Sequence, residues 1–154
     1  GLETTDEVPT FEQGTYRATK PLARVFDDDF VEANLKTKEY TLIDARSAER
    51  FRGEVEPIDP EAGHIPGSLN RHSALNFNED GVLKAPDVLA QEFKALIGET
   101  PSDKIIHSCG SGVSACCNLL AMIVAGMPPA GLYVGSWSEW IADADRPRAK
   151  GPAA

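Results

Sequence analysis

One of the three cysteines, Cys109, stands where a short apolar run ends and a glycine-containing loop begins. The sequence there reads CGSGVS at 109–114, and an apolar helix is predicted to follow. In such a loop, glycines allow consecutive backbone N–H groups to converge on the cysteine sulfur. The N-terminus of the following helix adds roughly half a positive charge, which favours the thiolate. We therefore predict that Cys109 is an anionic nucleophile rather than a small buried apolar residue, which is the commoner role of a cysteine.

Two reactions commonly use a cysteine in this setting, phosphoryl transfer and sulfur transfer. A cysteine phosphatase needs an arginine at the end of the loop to bind the equatorial phosphate oxygens, but Ala115 occupies that position. A persulfide is a smaller monoanion, which backbone amides and one or two hydroxyl groups can bind without a countercharge. Sulfur transfer is therefore favoured by the loop, which has no basic residue and consists of Gly110, Ser111, Gly112, Val113 and Ser114.

Other reactive side chains near Cys109 are interpreted as structural. His107 lies two residues earlier, yet no third and fourth ligand follows at a zinc-like spacing, so no metal site is expected. Cys116 and Cys117 fall in the apolar helix, where burial blocks access to a thiol, and we expect them to pack in the core. A resolving thiol is the alternative role for these two cysteines.

Helix signals flank the loop on both sides along the chain. Asp27 is expected to cap a helix with apolar residues on one face. A second helix is indicated by Pro86 in its first turn and Gly98 at its end. The helix at 115–125 is apolar nearly all round, which predicts that it is buried on every side.

Strand patterns alternate with these helices. Short strands are predicted at 40–43, 104–108 and 132–134, and an aromatic turn, GSWSEW, at 135–140, with Trp137 and Trp140 covering the edge of the core. Alternating strands and helices favour an open, mainly parallel α/β sheet, whose ligand site lies beyond the carboxyl ends of its strands. Cys109 follows the second of these strands directly, so we expect it at that edge.

Length and composition fit one domain with a single core, since the chain has 154 residues of which 42% are apolar. A formal charge of −9 disfavours nucleic acids and membrane surfaces as partners. An odd number of cysteines argues against a disulfide framework and for a reducing compartment, which we take to be the cytoplasm. Residues 1–20 are polar and acidic, so they are interpreted as an interdomain linker or arm ahead of a domain at 21–154.

Three further motifs accompany the cysteine loop, namely DARSAERFRG at 44–53, GHIPG at 63–67 and GSWSEW at 135–140. Together with CGSGVSA at 109–115 they resemble the rhodanese superfamily, and most closely the second, catalytic domain of its two-domain members. This resemblance implies a rhodanese-like α/β fold, with about five strands in an open, mainly parallel sheet and helices on both faces. It also implies a companion rhodanese-like N-terminal domain.

Within that superfamily, CGSGV is similar to the loop of 3-mercaptopyruvate sulfurtransferases, whereas thiosulfate sulfurtransferases typically have a more basic loop. The resemblance implies that Cys109 carries a persulfide, that Ser111 takes part in proton transfer, and that Arg50 binds the substrate carboxylate. Arg52 is a second candidate for carboxylate binding, with a solvated surface charge as its equal alternative. His64 matches a family landmark that is mainly structural. A further arginine of some members has no counterpart in 54–61.

The sequence thus predicts a sulfurtransferase that moves sulfur from 3-mercaptopyruvate, or thiosulfate, through Cys109 to a thiol or cyanide acceptor without a cofactor. The alternatives are a thiosulfate-specific rhodanese and a non-catalytic sulfur-carrier or interaction module. A cysteine phosphatase is disfavoured.

Overall fold

The computed structural model describes residues 5–19, 21 and 23–153. Residues 5–19 form no helix or strand, and their side chains are exposed. The linker expected at 1–20 falls partly outside the described residues, at 1–4 and 20, and the division at residue 21 stays a prediction.

Five short parallel strands form one sheet, which confirms the predicted sheet type. They are Val25–Phe26 (β1), Thr41–Asp44 (β2), Leu69–Asn70 (β3), Ile105–Ser108 (β4) and Gly131–Tyr133 (β5). Their order across the sheet is β1-β5-β4-β2-β3, so β4 is the central strand, and all neighbours pair in parallel. The residue that follows this central strand is Cys109.

Five α-helices connect these strands. They are Asp28–Thr37 (α1), Ala48–Arg52 (α2), Pro86–Ile97 (α3), Ala115–Val124 (α4) and Ser136–Trp140 (α5), with 3₁₀ helices at Ser73–Asn76 and Ser102–Lys104. The Asp27 carboxylate accepts a hydrogen bond from the Phe30 amide at 3.0 Å, which confirms the predicted cap of α1. Pro86 opens α3 and Gly98 follows its last residue, as the sequence indicated.

Helices cover both faces of the sheet, because alternate residues of a strand point to opposite sides. Leu42 and Ile106 pack in the cluster that contains both tryptophans, together with side chains of α1. Ile43 and Ile105 pack in a second cluster, built from side chains of α3 and α4. The predicted arrangement of helices on both faces is thereby confirmed.

Two expectations from the sequence are wrong. The apolar helix α4 is not buried on every side, because only one of its faces packs against β4, β5 and α3; Leu120 on the other face is 50% exposed. Residues 136–140 form the short helix α5 rather than part of a turn, and Trp137 and Trp140 are fully buried inside the core rather than at its edge. None of the helices within the described residues has the length and apolar character needed to cross a membrane.

Candidate active site

Cys109 lies at the carboxyl end of the central strand β4, and its side chain is buried against Ala45 and Ala115. Its backbone is fixed by α5: the Cys109 amide donates to Ser136 Oγ at 3.0 Å, and the Cys109 carbonyl accepts from the Trp137 amide at 3.0 Å. The cysteine is therefore held on rigid backbone between the sheet and α5. The sequence correctly placed it at this edge of the sheet.

The loop after Cys109 depends on Gly112. This residue has φ +81°, and a Cβ atom there would meet the carbonyl oxygen of Val134 at 2.4 Å. Only glycine combines a left-handed conformation with so close an approach to another backbone segment. The loop of residues 109–114 can therefore follow its path only because position 112 has no side chain.

The same loop presents a row of unpaired backbone donors. Among the described residues, the amides of residues 110–115 donate no hydrogen bond, and the first amide beyond them, that of Cys116, donates to Val113 at 3.1 Å. Since α4 starts at Ala115, its N-terminal dipole adds positive potential at the same place. Six donors in sequence, next to a helix N-terminus, form a site suited to a small anion.

A cleft of about 260 Å³ opens over this loop. We call it the Cys109 pocket, and it brings together Cys109, Ser111 and Arg50, which the sequence assigned to one site. The pocket is lined by Arg50, Ile58, Asp59, Cys109, Gly110, Ser111, Val113, Ser114 and Ser138.

Arg50 faces the loop from the last turn of α2, but most of its guanidinium is already engaged. Its Nη2 lies 2.6 Å from Oε1 of Glu56 and 3.3 Å from Oδ2 of Asp59, and its Nε also contacts Glu56 at 3.1 Å. A Cβ atom on Gly110 would lie 3.7 Å from Nη2 and 3.9 Å from Nη1, so both nitrogens border the loop, but Nη1 has no acceptor among the described residues. One nitrogen of Arg50 is therefore available to a ligand in the pocket.

Glu56 fixes the position of the Arg50 guanidinium through hydrogen bonds. Its carboxylate also contacts Nη1 of Arg46 at 3.2 Å, and it accepts from the amides of Ile58 and Asp59. Burial alone would raise the pKa of Glu56, but the hydrogen bonds from Arg50 and the two amides outweigh burial and lower this pKa below its ordinary value. Glu56 is therefore a fixed anion that orients the guanidinium of Arg50.

Arg52, the other arginine of the motif, is not part of this arrangement. Its guanidinium forms a two-point contact with Glu54, at 2.7 and 2.9 Å, and it does not line the Cys109 pocket. The structure thus brings Arg50, but not Arg52, to the cysteine. Successive residues of a helix point in different directions, which separates these two side chains although they are only two positions apart.

The histidines His64 and His107 are buried and structural. His64 stacks on the ring of Phe51, with 3.7 Å between ring centroids, and its Nδ1 donates to the Phe51 carbonyl at 2.7 Å. Nε2 of His107 lies 3.1 Å from Sδ of Met122 in the core, and burial, aided by the charge of Arg71, lowers the pKa of His107 to about 3. The described residues contain no cluster of three or more side chains able to hold a metal ion.

The expectation that Cys116 and Cys117 are core residues is wrong for Cys116, which is exposed, and only partly met for Cys117. Cys116 points away from the sheet, on the same open side of α4 as Leu120. The physical reason is that α4 packs through one face only. Two free thiols besides Cys109 are thus within reach of reagents to different degrees.

Sequence reasoning missed Asp59 and Ser138. Ser138 Oγ donates to Oδ1 of Asp59 at 2.6 Å, and both side chains line the Cys109 pocket. The segment 54–61 contains no arginine, and its acidic side chains give no local sign that they belong to the site. The one available signal was the position of Asp59 between the RFRG and GHIPG motifs.

A family model described as Rhodanese-like domain matches residues 27–143. A Pseudomonas aeruginosa protein named probable 3-mercaptopyruvate sulfurtransferase is 44% identical over 151 residues, which cover 98% of this chain and 53% of that protein. Human 3-mercaptopyruvate sulfurtransferase is 34% identical, covering 81% of this chain and 42% of the human protein. Thiosulfate sulfurtransferase of Cricetulus griseus is also 34% identical, covering 92% of this chain and 48% of that protein. The chain spans about half the length of these relatives.

Solved structures give the same fold. The Tum1 protein from Saccharomyces cerevisiae has a TM-score of 0.69 and 27% identity, covering 82% of this chain and 46% of Tum1. The anaerobic ergothioneine biosynthesis enzyme from Chlorobium limicola has a TM-score of 0.72 and 24% identity, covering 82% of this chain and 32% of that enzyme. This second likeness concerns the fold alone.

Proposed function

The chain belongs to the rhodanese-like domain family, and from this premise we propose that it is the catalytic domain of a sulfurtransferase in which Cys109 carries the transferred sulfur. The observation that carries the proposal is the setting of Cys109. It is a buried cysteine followed by six unpaired amides and the start of a helix, in a pocket that also contains Arg50. Such a setting stabilises a thiolate and, after sulfur transfer, a persulfide anion.

The proposed reaction has two steps. The Cys109 thiolate attacks the sulfur of 3-mercaptopyruvate, the carbon–sulfur bond breaks, and its electron pair leaves on pyruvate as the enolate, which then takes a proton. Cys109 is left as the persulfide. An acceptor thiolate or cyanide then attacks the outer sulfur, and the sulfur–sulfur bond breaks to regenerate the Cys109 thiolate. We assign Ser111, on the rim of the pocket, to the proton transfers at the sulfur.

The loop supports a preference for 3-mercaptopyruvate over thiosulfate. Its positive potential comes from amides and one helix terminus, which suit one negative charge better than two. The carboxylate of 3-mercaptopyruvate can instead accept from the available Nη1 of Arg50. The nearly equal likeness to named mercaptopyruvate and thiosulfate enzymes leaves thiosulfate as the second candidate donor.

Donor choice is tested by a pair of steady-state titrations, one with each donor, both with cyanide as the acceptor. We expect a higher kcat/KM for 3-mercaptopyruvate. A higher kcat/KM for thiosulfate would make the thiosulfate enzyme the better assignment. Aryl phosphate hydrolysis that depends on Cys109 would instead support a phosphatase, which Ala115 disfavours because no guanidinium then stabilises the transferring phosphoryl group.

We further propose a companion rhodanese-like domain and a cytoplasmic location. The relatives are about twice as long as this chain, which supports the companion domain. Three free thiols favour a reducing compartment, which supports the cytoplasmic location. Adding the companion domain should raise kcat rather than only lower KM, if proton-transfer groups lie on it. A kcat unchanged by that addition would show that this domain is sufficient alone.

A further inference from the structure

Asp59 places a carboxylate on the wall of the Cys109 pocket. Its side chain is only 7% exposed, and both oxygens are held: Oδ1 accepts from Ser138 Oγ at 2.6 Å, and Oδ2 lies 3.3 Å from Nη2 of Arg50. A Cβ atom on Gly110 would lie 3.9 Å from Oδ2, so the carboxylate borders the cysteine loop itself. The negative charge is thus fixed in position beside the nucleophile.

Asp59 also changes the charge balance around Arg50. The linked ion pairs join two guanidinium groups to three carboxylates, so this cluster has one net negative charge; its members are Asp44, Arg46, Arg50, Glu56 and Asp59. The positive charge of Arg50 is therefore more than offset by its neighbours. Arg50 can therefore donate hydrogen bonds to a ligand in the pocket, but the cluster around it adds no net positive charge. Among the described residues, the only positive potential at the pocket comes from the loop amides and the helix terminus.

We propose that Asp59 is a specificity-determining residue, which selects sulfur donors by charge. Its carboxylate repels a donor that brings two negative charges to the reacting sulfur, as thiosulfate does. It also occupies Nη2 of Arg50, so that a singly charged donor is bound through Nη1. The choice of donors rests on the proposed function, but the effect of Asp59 on anions at Cys109 does not.

The size of the effect follows from Coulomb's law. For unit charges about 6 Å apart at an effective dielectric constant near 40, which lies between that of a protein surface and that of water because the pocket is open to solvent, each charge on a ligand should change its relative reactivity by roughly tenfold. Asp59→Asn removes the charge, keeps the size of the side chain and leaves an oxygen that can accept from Ser138. Glu79→Gln, an equal change of charge at an exposed site outside the pocket, is the matched control.

The test uses alkylation of Cys109 by iodoacetate, an anion, and iodoacetamide, its neutral analogue. No basic residue separates Cys109 from Cys116 and Cys117, so fragmentation of the peptide that contains all three locates each modification and gives the rate at Cys109. We expect the ratio of the iodoacetate rate to the iodoacetamide rate to rise about tenfold in Asp59→Asn and to stay at the wild-type value in Glu79→Gln. An unchanged ratio in Asp59→Asn, or an equal rise in Glu79→Gln, would overturn the proposal.

Turnover gives the second arm of the experiment. In Asp59→Asn, kcat/KM should rise for thiosulfate about tenfold more than for 3-mercaptopyruvate, because the two donors differ by one unit of net charge. An equal change for both donors would refute the role of Asp59 in donor choice. If neither donor is turned over, the proposed function fails, while the alkylation ratio still tests Asp59. Should Asp59→Asn lack the circular dichroism spectrum of the wild type, Asp59→Ser takes its place in both arms.

Discussion

Gly112 is the residue on which the shape of the cysteine loop depends most directly. Its φ of +81° disfavours any L side chain, and a Cβ atom would stand 2.4 Å from the carbonyl oxygen of Val134. Gly81 has nearly the same φ, +79°, but a Cβ atom there meets nothing within 4 Å. The pair Gly112→Ala and Gly81→Ala therefore separates the backbone penalty from the steric clash.

The expected magnitudes differ accordingly. A left-handed conformation costs an alanine about 1–2 kcal/mol, and this is the whole cost expected for Gly81→Ala. Gly112→Ala carries the same penalty plus that of an overpacked contact, about 1–3 kcal/mol, so the total loss of unfolding free energy is about 2–5 kcal/mol. The contact can relax only if the loop or β5 shifts, and a displacement near 1 Å at a reacting group costs on the order of 10²-fold in rate.

Urea unfolding of both variants measures the first effect, and the rate of cyanide-dependent sulfur transfer measures the second. We expect Gly81→Ala to lose about 1–2 kcal/mol and little activity, and Gly112→Ala to lose more stability and most of its activity. Equal losses of stability in the two variants, with activity retained in Gly112→Ala, would refute the claim that the loop requires this close approach to β5.

Three further predictions concern charges and thiols around the pocket. Arg50→Ala should lower kcat/KM for 3-mercaptopyruvate about 10- to 30-fold, since one charged hydrogen bond is lost. Arg50→Lys should restore only part of this kcat/KM, because an ammonium cannot bind Glu56 and the donor at the same time. Unchanged kinetics in Arg50→Ala would show that Arg50 does not bind the donor. Because the folded-state pKa of Glu56 is lowered, its contribution to stability is present above the unfolded value of about 4.3 and is lost as pH falls through the folded pKa. Glu56→Gln should therefore lower unfolding free energy by about 2–3 kcal/mol at pH 7, with the difference from wild type shrinking in acid titrations below about pH 4; a difference independent of pH would contradict the ionised assignment. Cys116→Ser should leave the sulfur loading of Cys109 unchanged, as read from fragmentation of the peptide that contains it, although Cys116 is exposed; a loss of loading would make Cys116 a participant.

The parts of the fold with strong local signals were predictable. Asp27 and Pro86 begin α1 and α3 through capping and a fixed φ, which depend on neighbouring residues alone. The strands β1 and β3 have two residues each and exist through pairing with β5 and β2, so no periodicity marks them in the sequence. The one-sided burial of α4 was missed because apolar composition cannot tell which face a sheet will cover.

The site divides in the same way. Cys109 and its loop form one continuous motif, so their arrangement could be predicted from residue types and spacing. The contact between Asp59 and Ser138 joins residues 79 positions apart, and it arises only when the segment after α2 folds over α5. The ion pairs that hold Arg50 depend likewise on Glu56, whose side chain gives no local sign of its partners.

The central claim is that Cys109 carries the sulfur. The most direct measurement is the intact and peptide mass of the protein after incubation with 3-mercaptopyruvate or thiosulfate. We predict the addition of one sulfur atom, located at Cys109 by fragmentation of its peptide, the removal of this sulfur by cyanide or dithiothreitol, and its absence in Cys109→Ser. Sulfur that still adds in Cys109→Ser would contradict the account and transfer the carrier role to another thiol.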